Sequence, residues 1–194
     1  MFRGDKLRIF LDNNFWDYLA DNNVDLLHYF PKNLYELFIT THGKYEIIQL
    51  CRNDKQYVKE YALNTLGAIV KEDAVFGFHS DLFPVEYQRA SGFGSGRFAE
   101  KRENTIRAEI FAKYGLHEKR KETQILFKQE ADIELAVRSI DHPVITFDTH
   151  KKGPLLYALE NGWKVIPLDS NRCNIIPSDD YMNEIVAAIE SKRT

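Results

Sequence analysis

The most constraining stretch of the chain is Leu7-Arg8-Ile9-Phe10-Leu11-Asp12-Asn13-Asn14, an apolar run that ends abruptly in an acid and two amides. Such a run reads as a central parallel strand, buried on both faces, delivering a carboxylate to its C-terminal edge. In an open α/β sheet that edge is where ligands bind. Asp12 also suits the N-cap of the amphipathic helix beginning near Phe15. The arrangement returns as Pro143-Val144-Ile145-Thr146-Phe147-Asp148, a second buried-strand pattern closed by an acid. The recurrence favours a shared site over two unrelated caps.

The intervening segments alternate in period. Phe15 to Leu27 is helical in pattern and ends before Pro31, Leu37 to Thr41 is a compact β-type run, and a helix from about Lys44 places Glu46 early. Tyr57 to Val70 continues as helix, and Ala74 to Phe78 reads as a third strand. Ala131 to Ile140 is helical with Asp132 in the first turn, where the helix dipole favours an acid. Leu155 to Leu159 is a short helix stopped by Asn161-Gly162, Lys164 to Leu168 is a last strand, and Ser178 opens a C-terminal helix. Strands alternating with helices imply an α/β fold, a doubly wound parallel sheet of four to five strands flanked by helices. With 194 residues and 44% hydrophobic content, one domain over 1–194 with a sizeable core is expected.

A basic helical insertion at about 91–128 interrupts that plan. It opens with Ser91-Gly92-Phe93-Gly94-Ser95-Gly96-Arg97, whose G-x-G-x-G spacing fits neither the dinucleotide fingerprint nor the P-loop and reads as a mobile loop. Residues 97–128 carry a formal +4 in a chain of net charge -3. Arg97, Lys101, Arg102, Lys119, Arg120 and Lys121 are the candidate cations for tracking a nucleic-acid backbone, with a solvated helix face as the plainer alternative. Cys51 and Cys173 have no partner at metal-ligand spacing, so a zinc site and a disulfide framework are not expected. No apolar run approaches the ~20 residues a spanning helix needs, and no signal-peptide pattern opens the chain; a soluble, cytoplasmic protein without membrane contact is expected.

In a parallel sheet the strand C-termini share one edge, so Asp12, Glu46, Asp132 and Asp148 converge although they are far apart in the chain. Four carboxylates brought together repel unless a cation neutralises them, and all-oxygen ligation suits Mg²⁺ or Mn²⁺. Such a site can polarise a phosphoryl oxygen and activate water against a phosphodiester. Glu86, after the expected third strand, stands in a setting comparable to that of Glu46.

These blocks resemble the PIN domain family, metal-dependent nucleases that include the toxins of toxin–antitoxin pairs. The resemblance rests on Asp12-Asn13-Asn14, on Glu46 after the second strand, on the helix-opening Asp132 and on Thr146-Phe147-Asp148. It implies an Mg²⁺- or Mn²⁺-dependent endoribonuclease in which Asp12, Glu46, Asp132 and Asp148 are both the catalytic and the metal-binding residues. Asn14 and Thr146 would be polar supports, and RNA the substrate. The resemblance leaves open an antitoxin protein as partner and a homodimer as the assembled state. It covers 5–55 and 128–170 and is silent on the insertion. The alternative is a catalytically inactive module that binds RNA or a protein; a phosphatase is disfavoured because Asp12 is followed two residues on by Asn14 rather than by a second acid.

Overall fold

The computed structural model describes residues 5–50, 53–81, 84–92, 94–115, 125–149 and 152–193. Five strands form one all-parallel sheet: β1 (Leu7–Leu11), β2 (Tyr35–Thr40), β3 (Val70–Asp73), β4 (Val144–Thr146) and β5 (Val165–Pro167), in the order β3-β2-β1-β4-β5. The first crossover contains α1 (Asn13–Asp21) and α2 (Leu26–Tyr29), the second α3 (Thr41–Ile48) and α4 (Gln56–Thr65), and the third α5 (Lys101–Tyr114) and α6 (Glu130–Arg138). Helix α7 (Pro154–Glu160) joins β4 to β5, and α8 (Ser170–Cys173) and α9 (Ser178–Ser191) follow. The fold is the expected doubly wound α/β sheet. Among the described residues no helix is long and apolar enough to cross a membrane.

The period of two along the strands builds two cores. Ile9 and Leu11 of β1, Leu37 and Ile39 of β2, and Ile145 and Ile166 of β4 and β5 face Phe15, Trp16 and Leu19 of α1 together with α4 and α9. Phe10, Val144 and Val165 face the other way, onto Ile133, Ala136 and Val137 of α6 and Leu155 of α7. Every one of these side chains is nearly inaccessible to solvent. The chain winds outward from β1 to β2 and β3, then returns to β4 on the opposite side of β1. The direction of winding therefore reverses between β1 and β4, where the adjoining crossovers cover opposite faces and leave a crevice at the strand C-termini.

Three expected elements differ. The first helix breaks at Asn22 and Asn23, whose φ is 46°, and resumes as α2. The helix expected to reach Val70 stops at Thr65, because Gly67 turns the chain at φ 80° and Val70 pairs with Leu37. The third strand is thus Val70–Asp73 and not Ala74–Phe78. This edge strand is written in charges, Lys71 pairing with Glu36 and Glu72 with Lys44, so it shows no apolar run. Residues 74–77 instead receive the glycine-rich stretch: Phe76 N–H donates to Arg97 O at 2.7 Å and Ser91 N–H to Val75 O at 2.9 Å. Gly96 is required there, since a Cβ would stand 2.6 Å from the Phe76 nitrogen.

The insertion is fastened to the body by a six-membered ion network. Arg138, buried on α6, donates to Asp73 at 2.6 Å, Glu103 at 2.7 Å and Glu134 at 3.0 Å. Arg97 completes Asp73 (2.7 Å) and Glu103 (2.7 Å), and Arg107 bridges Glu103 (2.8 Å) and Glu134 (2.7 Å). Three cations meet three anions across β3, α5 and α6. Burial works against the charge of Glu103, and the guanidinium groups of Arg97, Arg138 and Arg107 outweigh it, holding the carboxyl down to about 2.

Removing Arg138 would leave three partly buried carboxylates to share two guanidinium groups, those of Arg97 and Arg107, in place of three. Arg138→Met, which keeps the aliphatic stem, should lower the urea-unfolding free energy by about 3–5 kcal/mol, the usual cost of breaking a buried pair from one side. A loss below about 1 kcal/mol would show that the network does not hold α5 and α6 to the sheet.

Candidate metal centre

Asp12 follows β1 directly and is 5% exposed. Its backbone N–H reaches across the switch point to Ile145 O at 3.1 Å, and its extended backbone caps α1. The carboxylate accepts from the Asn13 N–H at 2.6 Å and from the Thr146 hydroxyl at 2.6 Å. Thr146, wholly buried at the end of β4, also accepts from the Asp148 N–H at 2.8 Å and from the Asn14 amide at 3.4 Å. Asn14 returns its carbonyl to the Phe147 N–H at 3.0 Å. Both residues expected as polar supports thus stitch β1 to β4 and set the positions of Asp12 and Asp148.

The four acids named from sequence line one cavity of about 220 Å³ at the carboxyl edge of the sheet. Asp12 comes from the β1 end, Glu46 from α3, Asp132 from the first turn of α6, and exposed Asp148 from the loop after β4. Glu86 lies on an exposed turn away from this cavity, so Glu46 is the acid that α3 brings in. Desolvation raises the Asp12 carboxyl to about 6; the charges of Glu46 and Asp148 add to the rise, and the hydrogen bonds from Thr146 and Asn13 oppose it. Like charges therefore act on one another here.

Asn13 escaped the sequence reading. Its side-chain amide donates to Glu46 while its backbone N–H serves Asp12, so one residue links two of the acids. Its carbonyl oxygen is buried with no hydrogen-bond partner. Two consecutive amides after Asp12 were the only sequence signal, and the family resemblance pointed to Asn14. The rest of the cavity lining, to which Gln49, Leu126, Phe127 and Gln129 contribute, was also unforeseen. Nothing local in the sequence marks it.

Among the described residues no three His, Cys, Asp or Glu side chains stand as a ready-made metal group. The fit to a hard divalent cation rests on donor chemistry: carboxylates only, mutual repulsion that a cation would relieve, and an unpartnered amide oxygen alongside. On these grounds the residues present suit Mg²⁺ or Mn²⁺.

The candidate nucleic-acid cations divide. Arg97 is committed to Asp73 and Glu103 and is not displayed as a free phosphate contact, because the buried acids of β3 and α5 need its charge. Lys101 is exposed, and Arg102 is 65% exposed at 3.6 Å from Asp141. Lys119, Arg120 and Lys121 lie outside the described residues.

Asp12 gives a pH test in metal-free buffer. Its folded carboxyl titrates near 6 against 3.8 for the ordinary group. A raised carboxyl stabilises the fold most below the unfolded value, and that contribution is lost as pH rises through the folded one. Wild type should therefore lose on the order of 2–3 kcal/mol relative to Asp12→Asn between about pH 4 and 7, measured by chemical denaturation in chelator. A wild-type-minus-variant difference that stays flat across this range would contradict the buried-charge assignment.

No protein-family model, curated protein or solved structure matches this chain. The chemistry of the cavity carries the functional reading.

Proposed function

We propose that the chain is a metal-dependent endoribonuclease of the PIN type. The observation that supports it best is the arrival of Asp12, Glu46, Asp132 and Asp148, from four separate elements, in one cavity at the switch point of the sheet. Asp12 and Asp148 would hold the ion, with Asp132 and Glu46 completing the set. A bound Mg²⁺ or Mn²⁺ supplies positive charge that neutralises the acids, polarises a phosphoryl oxygen and makes water acidic enough to attack near neutral pH.

The chain's own residues supply position. Thr146 and Asn13 hold the two oxygens of Asp12 in fixed directions, so that the carboxylate enters the site pre-oriented. Asn13 holds Glu46 in the same way, leaving that acid placed to accept a proton from attacking water. Asp132, on α6, orients the same water or adds a ligand. Asp148 is exposed, so an ion that it helps to hold would be open to the incoming phosphodiester. RNA is the substrate that the PIN resemblance implies, its phosphodiester drawn to the cation that the carboxylates would hold. Lys101 and Arg102 offer exposed positive charge on α5.

Variants should grade by distance from the chemistry. Asp148→Asn sits at an exposed position, so the fold should be intact by circular dichroism while Mn²⁺-dependent RNA cleavage falls more than about 100-fold. Thr146→Val removes only the hydroxyl behind Asp12 and Asp148 and should cost about 10–100-fold, the range for an outer partner of a metal ligand. Cleavage that persists in chelator, or in Asp148→Asn, would remove the carboxylate site from the mechanism.

A further inference from the structure

Leu126, Phe127 and Gln129 bring segment 125–130 into the lining of the carboxylate cavity. Segment 125–130 is folded around Glu130, whose carboxylate accepts from Arg89 at 2.8 and 2.9 Å and from the Phe127 N–H at 2.9 Å. Arg89 also donates to Ile125 O at 2.8 Å, and its guanidinium stands 6.0 Å from the centroid of the Phe127 ring. At the end of α3, the Gln49 side-chain oxygen accepts from the Ile125 N–H at 3.4 Å. Phe127 and Gln49 are thereby fastened to segment 125–130 at the cavity.

Gln129 is the unusual member. Its backbone lies in the left-handed region, φ 64° and ψ 6°, at the residue that precedes α6. That conformation costs a non-glycine residue roughly 1–2 kcal/mol, and glycine would spare it. The Gln129 side chain does not offset the cost by capping, for it makes no cap hydrogen bond to α6. It lines the cavity beside Asp132. Strain kept at a cavity wall, with a side chain that serves no local structural end, points to use by a ligand.

Carboxylates with a cation take a phosphate, whereas amides and an aromatic face take the flat, hydrogen-bonding edge of a heterocycle. We infer that Phe127 and Gln129, with Gln49 beside them, form a subsite for one unstacked nucleobase next to the carboxylates. Gln129 reads the base edge through its donor and acceptor, and Phe127 offers the stacking surface. The identity of the neighbouring phosphate chemistry rests on the nuclease reading; the base subsite is testable without it.

The test uses the full chain with Mg²⁺ and stopped-flow anisotropy, before turnover, on a labelled single-stranded RNA and on the same strand with abasic residues. Wild type should prefer the intact strand by about tenfold, within the range for one stacked base. Gln129→Gly and Phe127→Leu should each bring that preference to within about twofold, and Gln129→Gly should melt no lower than wild type because the left-handed strain is relieved. A duplex of the same sequence should compete poorly. Equal binding of intact and abasic strands by wild type, binding of neither, or full preference retained in both variants overturns the subsite. Base preference without cleavage would instead overturn the nuclease reading and leave the subsite standing.

Discussion

Asp12 ends the central strand almost wholly out of water, and burying its charge is the constraint that shapes the carboxyl edge. Each of its oxygens is given one hydrogen bond, from Thr146 and from the Asn13 backbone, yet desolvation still pushes the carboxyl up to about 6. Glu46 and Asp148 push in the same direction. An arrangement in which two further acids raise the cost of ionising Asp12 is not what a fold selects for stability alone. It becomes reasonable when a cation is part of the working state, since the repulsion that weakens the metal-free protein is the attraction that holds the ion.

Helix α6 is the element through which the rest of the molecule reaches this edge. Asp132 occupies its first turn, Ile133 and Val137 enter the second core, and Glu134 and Arg138 enter the six-membered ion network. Glu130 at its start ties down segment 125–130. The insertion between β3 and α6 is therefore coupled to the site by covalent continuity and by charge. Arg138, with three acidic partners, keeps α5 and α6 registered against β3. Displacing that contact would move Asp132 along with the helix that carries it.

Much of this was legible in the sequence because two strong signals coincide with it. The strands β1 and β4 are apolar runs closed by acids, and their continuity and abrupt ends are visible without any partner. Asn14 and Thr146 came from the family resemblance, through Asp12-Asn13-Asn14 and Thr146-Phe147-Asp148. What escaped was set by tertiary pairing. The strand β3 reads Val-Lys-Glu-Asp, and its charges make sense only beside Glu36, Lys44 and Arg138. Arg97 resembled a phosphate contact until Asp73 and Glu103 were seen to need it. Asn13, Phe127 and Gln129 depend on a chain path that no window of sequence encodes, and the left-handed φ at Gln129 is a backbone property its residue type argues against.

The central claim is that four carboxylates at the sheet edge hold one or more hard cations. Anomalous diffraction from crystals soaked in Mn²⁺ tests it most directly. The account predicts a peak in the cavity with carboxylate oxygens of Asp12 and Asp148 at about 2.1 Å, the ligand distance for a small hard cation, and with Asp132 or Glu46 in direct or water-mediated contact. No peak in that cavity at saturating Mn²⁺, with the Asp12 and Asp148 carboxylates turned apart, would contradict it.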